Sequence, residues 1–263
     1  MTQHDNGATK MKLVFGDANA KLEALQKLYG GKVYTFSLLS GHTCPYAKEC
    51  FSKAVDVDGK RHIEDGEHTQ FRCFSASQEV QYTPVYQSRL NNFAIVELAA
   101  VSVEQAADTL VAAIPAKAGI IRIHVGGDFK TQAYFDAWLE VARRCPNVLF
   151  YAYTKSLPFW VKRLGAIPAN MVLTASYGGF KDKLIGQHGL RSATVVYSEA
   201  AATELGLEID HDDSHASQNG PSFALLIHGT QPAGTAAAAA KSELKRAGWT
   251  GYGKGTGRAK VKA

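Results

Sequence analysis

A single α/β domain around a parallel six-stranded sheet, wound into a partial (β/α) barrel, is the architecture this sequence predicts. Three observations carry the prediction. Six short β-branched or aromatic runs alternate with longer helix-like segments, the pattern of parallel strands joined by crossover helices. No linker splits residues 1–240. The residues best suited to chemistry fall just past the strand ends, where α/β folds gather their sites. A doubly wound open sheet is the alternative that the same alternation allows.

The first strand is "VYTFSLL" (33–39) and the second "GIIRIHV" (119–125). "VLFYAYT" (148–154), "MVLTAS" (171–176), "ATVVYS" (193–198) and "FALLIH" (223–228) supply the other four. Between the first two, Ser102 and Gln105 form a capping box, and Val103, Ala107, Leu110, Val111 and Ile114 make one apolar helix face. A second helix starts near Thr131 with Phe135, Trp138, Leu139 and Ala142 inward. A third runs from Ser198 and stops at Gly206, and an alanine-rich one begins near Thr235.

At 263 residues and 46% hydrophobic, the chain has the composition of an ordinary globular protein. No apolar run approaches the roughly 20 residues that span a bilayer, and "MTQHDNGATK" lacks the apolar core of a secretory signal. A cytoplasmic location without membrane contact is therefore expected, in the host cell if the gene is a phage's. The formal charge of +5 is uneven: residues 241–263 carry net +6 and residues 1–240 net −1. The body is not a basic nucleic-acid binder, while the Gly- and Lys-rich tail could make weak phosphate contacts. A single domain over 1–240 followed by a basic segment over 241–263 is the expected organisation.

Cys44 and Cys50 lie in "SGHTCPYAKECFSKA" after strand one, and Cys73 follows in "FRCFSAS". Clustered thiols in a reducing compartment point to metal or redox chemistry in preference to a disulfide. Five residues separate Cys44 from Cys50, more than zinc knuckles favour, although zinc with His42, His62 or His68 as fourth ligand stays open. A [4Fe–4S] cluster with three thiolate-bound irons and one open iron fits the arrangement better. Cys145, at the end of "WLEVARRC", reads as an inert thiol. "HVGGDF" (124–129), "YTKS" (153–156), "TASYGG" (174–179) and "HGTQPAG" (228–234) end strands two, three, four and six, and would share one mouth with the cysteines.

The run "TCPYAKEC…FRCFSAS…HVGGDF…FDAWLEVARR…FYAYTKSLPFW…VLTAS…IDHDDSHA…FALLIHGTQPAG" resembles the bacteriophage gene-product-88 family over roughly residues 33–240. More distantly the chain is similar to radical S-adenosylmethionine (SAM) iron–sulfur proteins. That resemblance implies Cys44, Cys50 and Cys73 as cluster ligands and places Gly126, Gly127 and Asp128 beside the methionine part of SAM. Lys155 is a candidate for an anionic substrate or the SAM carboxylate. Two departures stand out: the cysteine gaps are five and twenty-two residues where the signature has three and two, and Asp128 replaces the commoner Glu. The insert 51–72 must therefore loop out, with turns at Asp58-Gly59 and Asp65-Gly66.

The sequence thus leads to an iron–sulfur protein, radical-SAM-like in its enzymatic reading, with a small ligand at the open iron. The alternative is a noncatalytic cluster or zinc protein that binds a host protein or nucleic acid. For the fourth position the candidates are an external ligand, His42, or His211, Asp212, Asp213 and His215 of "IDHDDSHA" (209–216).

Overall fold

Strand periodicity sorts the core into two faces. In the strand Ala118–Ile123, Ile121 and Ile123 are buried among Leu110, Phe135 and Trp138, whereas Ile120 is buried among Leu22, Leu25 and Phe223 on the opposite face. A strand covered on both sides needs apolar residues at both parities, and that is why the strands read as near-continuous hydrophobic runs.

The computed structural model describes residues 12–18, 22–99, 101–249 and 251–252. In chain order the elements begin with β1 (Gly16–Asp17), α1 (Glu23–Tyr29), β2 (Lys32–Phe36), β3 (Ser52–Val57), β4 (Lys60–Asp65), α2 (Phe74–Gln81) and α3 (Thr83–Ala99). There follow α4 (Val103–Val111), β5 (Ala118–Ile123), α5 (Gln132–Arg144), β6 (Leu149–Thr154), α6 (Leu157–Val161) and β7 (Met171–Ser176). The last are α7 (Lys183–His188), β8 (Ser192–Val196), α8 (Glu199–Glu204), β9 (Glu208–Ile209), β10 (Phe223–Leu226) and α9 (Ala236–Arg246).

The main sheet has eight strands in the order β1-β2-β5-β6-β7-β8-β10-β9, parallel except for the pairing of β1 with β2. The six strands expected from the sequence are all present and lie in chain order, without the reversal of order that marks a doubly wound sheet. The sheet is not a closed barrel, since β1 and β9 form its two edges. Among the described residues no helix is long and apolar enough to cross a membrane.

Each cap read from the sequence is made. Ser102, Thr131, Ser198 and Thr235 accept hydrogen bonds from the backbone N–H of Gln105, Tyr134, Ala201 and Ala238, so α4, α5, α8 and α9 start where their first orphan donor is satisfied. The insert between Cys50 and Cys73 forms the β3–β4 hairpin, turned at Asp58 (φ 52°) and Gly59 (φ 78°). Two successive positive φ angles are what a two-residue hairpin turn requires.

Three elements that the sequence reading left out hold the mouth together. Helices α2 and α3 pack on the cysteine loop through a polar core: Glu79 is fully buried, and its carboxylate accepts hydrogen bonds from Ser40 N at 3.0 Å, Ser40 Oγ at 2.8 Å and Arg89 Nη1 at 2.8 Å. The hairpin docks on the same helix, where the Arg61 guanidinium donates to the Glu79 backbone carbonyl at 3.0 Å. Removing one member of a buried ion pair strands the other, at a cost of about 3–5 kcal/mol. Glu79→Ala should lower unfolding free energy in urea by that amount, whereas Gly59→Ala, strained but in open space, should cost about 1–2 kcal/mol. Equal losses in the two variants would remove Glu79 from its central position.

Candidate functional site

Past the carboxyl ends of the strands, the loop after β2 folds across the mouth. Lys48 N and Glu49 N both donate to Gly178 O, at 3.1 and 2.9 Å, and Phe180 N donates to Tyr46 O, so the segment from Cys44 to Cys50 is stitched to the loop after β7. The returning hairpin is tied to the same segment, with Gln70 N and Phe71 N bonded to Glu49 O at 2.7 and 3.1 Å. Cys73 then sits directly before α2, its N–H donating to Ser52 Oγ at 3.2 Å. A 22-residue insert is thereby folded back on itself, and Cys44, Cys50 and Cys73 all line one cavity of about 670 Å³.

The thiols are free, and those of Cys44 and Cys73 meet backbone N–H groups. The Cys44 sulfur accepts from Gly41 N at 3.4 Å. Burial pushes this thiol well above its ordinary value, assisted by Asp128, Cys73 and Cys50, against the opposing Gly41 bond. Burial and then Cys50 push Cys73 up to about 11, while the N–H groups of Ala76 and Ser75 at the start of α2 pull the other way. Donors aimed at a sulfur and a helix N-terminus beneath it are the features that stabilise a thiolate once a metal supplies the charge.

The cavity floor is the inner face of the sheet. Arg122 of β5 is ion-paired to fully buried Asp213 at 2.6 Å, and Tyr151 Oη donates to the same carboxylate at 2.9 Å. Burial works against the guanidinium charge, but Asp213 and the two tyrosines outweigh it and hold Arg122 above its ordinary range. His124 is buried with its Nε2 3.1 Å from Tyr134 Oη, and burial lowers it to about 3, so the ring is neutral. The far wall comes from Ile227, His228, Lys241, Lys245, Trp249 and Tyr252.

A family model for gene product 88 matches residues 11–247. The chain belongs to the gene product 88 family. No curated protein and no solved structure matches it, and the similarity to radical SAM proteins is not shown.

In this gene product 88 chain the residues expected at the site are gathered, but several are engaged by the protein itself. Gly126, Gly127, Asp128 and Lys155 line the cavity with the three cysteines. A Cβ on Gly126 would lie 2.2 Å from Ser75 Oγ, and one on Gly127 (φ 86°) 2.6 Å from Thr43 Oγ1, so close protein neighbours alone require both glycines. Both Asp128 oxygens are used: one accepts from Phe129 N at 2.7 Å and Thr154 Oγ1 at 2.6 Å, the other from Lys155 N at 2.8 Å. Burial still raises its carboxyl above the ordinary value, against these bonds. The Lys155 ammonium donates to Ser176 Oγ and Tyr177 O, both at 2.6 Å, and to Ser176 O at 3.3 Å. Asp128 joins the ends of β5 and β6, and Lys155 joins β6 to β7.

The proposed fourth ligands lie elsewhere. His42 is not in the cavity and its Nε2 is 2.9 Å from Ala54 O, while His62 and His68 are exposed. None of His211, Asp212, Asp213 and His215 lines the cavity, and Asp213 belongs to the Arg122 pair. Among the described residues no three His, Cys, Asp or Glu side chains converge as ligands of one metal ion, which leaves the zinc arrangement without support. Cys145 is the C-cap of α5, away from the other three. Of the basic segment, Lys254, Arg258, Lys260 and Lys262 lie outside the described residues, but Leu244 and Trp249 are buried against Ala224 and Leu226. Sequence reasoning missed His124, Arg122 and this C-terminal wall; Lys241 and Lys245, four apart on α9, share one helix face, and the apolar Leu244 and Trp249 amid the basic run are the signal that could have found it.

Two outcomes follow from this packing. Gly126→Ala should cost about 1–3 kcal/mol by overpacking against Ser75, read in urea unfolding. His124 titrates near 3 in the folded chain and near 6.5 when unfolded, so the unfolded state takes up the proton first. Stability should fall as pH drops from about 6.5 toward 3, by up to about 1.4 kcal/mol per pH unit from this group. His124→Gln should remove that component from the acid limb; an unchanged limb would assign it to other groups.

Proposed function

We propose that Cys44, Cys50 and Cys73 hold a [4Fe–4S] cluster with one iron open to the cavity, in a radical-SAM-like enzyme that binds a small ligand there. The observation that carries the reading is the convergence of three free thiols on one cavity from the two ends of a folded insert. The donor set fits the group: sulfur ligands only, N–H groups of Gly41, Ser75 and Ala76 directed at two of them, and a helix start under Cys73. A cluster spreads its thiolates over separate irons, so it does not need three side chains converging on a single ion.

The finer fold reading supports the same proposal. Flat strands about 4.8 Å apart would put β2 and β10, five intervals apart, about 24 Å from each other. Yet Gln231, after β10, bonds Arg72 O at 3.1 Å and Arg72 N at 2.8 Å, beside Cys73, and a Cβ on Gly229 would lie 2.5 Å from the Phe74 Cβ. We read the six parallel strands as an open barrel wall whose ends are bridged by the Cys73 segment.

When bound, the cluster would supply an iron able to coordinate a ligand and to pass on an electron received from an external reductant. The chain's own residues position and enclose it. Glu79 fixes the Cys44 loop relative to α2, Asp128 and Lys155 lock the strand ends, and Phe74, Trp249 and Tyr252 line the cavity with apolar rings. S-adenosylmethionine remains the proposed ligand of the open iron, and its placement rests on the cavity and the open iron, since Asp128 and Lys155 are engaged by protein partners.

Anaerobic purification followed by iron, acid-labile sulfide and zinc analysis tests the reading. About four irons and four sulfides per chain are expected. Cys44→Ser, Cys50→Ser and Cys73→Ser should each lose them together with the stability that metal binding supplies, and Cys145→Ser should retain them. One zinc per chain without sulfide would overturn the proposal, and metal loss in Cys145→Ser would overturn the ligand assignment.

A further inference from the structure

Three polar atoms on the cavity-lining residues are buried with no hydrogen-bond partner: Arg122 Nε, His124 Nδ1 and Trp249 Nε1. As residues, Arg122, His124 and Trp249 are each more than nine-tenths buried, and the three atoms themselves are closed off from the cavity space, so they add to the cost of this wall without reaching a ligand.

The charge around the cavity is as one-sided as its hydrogen bonding. Arg72, Arg122, Lys155, Lys241 and Lys245 line it against the single carboxylate of Asp128. Arg72 is balanced by Asp65 and Arg122 by Asp213. Lys155 meets a hydroxyl and carbonyls at its Nζ, the Lys241 ammonium donates to the Gly229 carbonyl, and among the described residues neither Lys241 nor Lys245 has a carboxylate partner. Beside these cations the rings of Phe74, His228, Tyr252 and Trp249 form a continuous wall, with successive centroids 4.8, 4.9 and 5.4 Å apart.

We propose that this half of the cavity binds an anionic small molecule with a flat ring, of the nucleoside monophosphate kind, and that α9 with Trp249 and Tyr252 is its binding wall. The ring lies along the aromatic wall, and the phosphate is drawn to Lys241 and Lys245. A cavity of about 670 Å³ is in the range that encloses a ligand of this size. The basic C-terminal segment thereby has an intramolecular role for two of its seven cations. This inference deepens the proposed small-ligand site but does not depend on the cluster.

Calorimetry on the full chain with adenosine 5′-monophosphate tests it, with adenosine and inorganic phosphate as part-ligands and metal content measured on each sample. The monophosphate should bind more tightly than either part. Lys241→Gln with Lys245→Gln should weaken it by about tenfold, the worth of a lost charged contact. The charge-matched control Lys117→Gln with Lys162→Gln, both exposed and outside the cavity, should leave it unchanged. Monophosphate binding no tighter than that of inorganic phosphate, or an equal loss in the control pair, would overturn the inference. Metal content that stays constant across these variants separates this outcome from failure of the cluster reading, which zinc or an absence of sulfide in the wild-type sample would show.

Discussion

The mouth of this fold depends on one buried carboxylate. Glu79 has no exposed surface, and its oxygens receive the backbone and hydroxyl of Ser40 and the guanidinium of Arg89. Ser40 lies four residues before Cys44, and Cys73 six residues before Glu79, so the carboxylate fixes the two cysteine segments relative to each other. Arg89 extends the network to Ser75 O and Gln78 Oε1, which secures the first turn of α2 from the side of α3. A buried charge of this kind is tolerated only when every lone pair is answered, and it penalises any arrangement in which the loop and the helices separate.

The same logic recurs around the rim. Asp128 and Lys155 have the residue types and positions of ligand-binding groups, yet their polar atoms close on neighbouring loops. Asp213 does likewise beneath the cavity, where it fills the inner face with Arg122, Tyr151 and Tyr153 and confines open space to the strand ends. A charge at a strand end is legible in a sequence; whether it faces a ligand or a carbonyl depends on loops that are distant in the chain.

This explains which parts could be read in advance. The six strands, the four Ser or Thr caps and the Asp58-Gly59 turn are encoded within a few residues of themselves. The placement of the three cysteines at one mouth followed from the rule that sites gather past strand ends. Helices α2 and α3 were not legible because their buried positions include Glu79, Arg89 and Asn92, so no apolar stripe announces them. Strands β1 and β9 have two residues each, too few for a pattern. The cavity's far wall was hidden for another reason: a run of Gly and Lys near a terminus looks solvated until Leu244 and Trp249 are seen buried against β10.

The two halves of the cavity thus differ in what they lack. At the rim, burial pushes Cys44 and Cys73 above their ordinary values and neighbouring thiols raise each further, and the proposed metal would offset that negative charge with N–H support from the backbone. On the floor and far wall the deficit is of the opposite sign: among the described residues Lys241 and Lys245 line the cavity without carboxylate partners, which is what the proposed anion would answer. Neither half can satisfy the other directly, because burial holds Cys44 and Cys73 toward their neutral forms where the lysines would need negative charge. Loading the rim would change that balance by placing thiolates near Asp128 and raising the value of every cation on the opposite wall. Were both proposals to hold, the coupling between a metal at the cysteines and an anionic ligand at α9 would run through the shared cavity by charge.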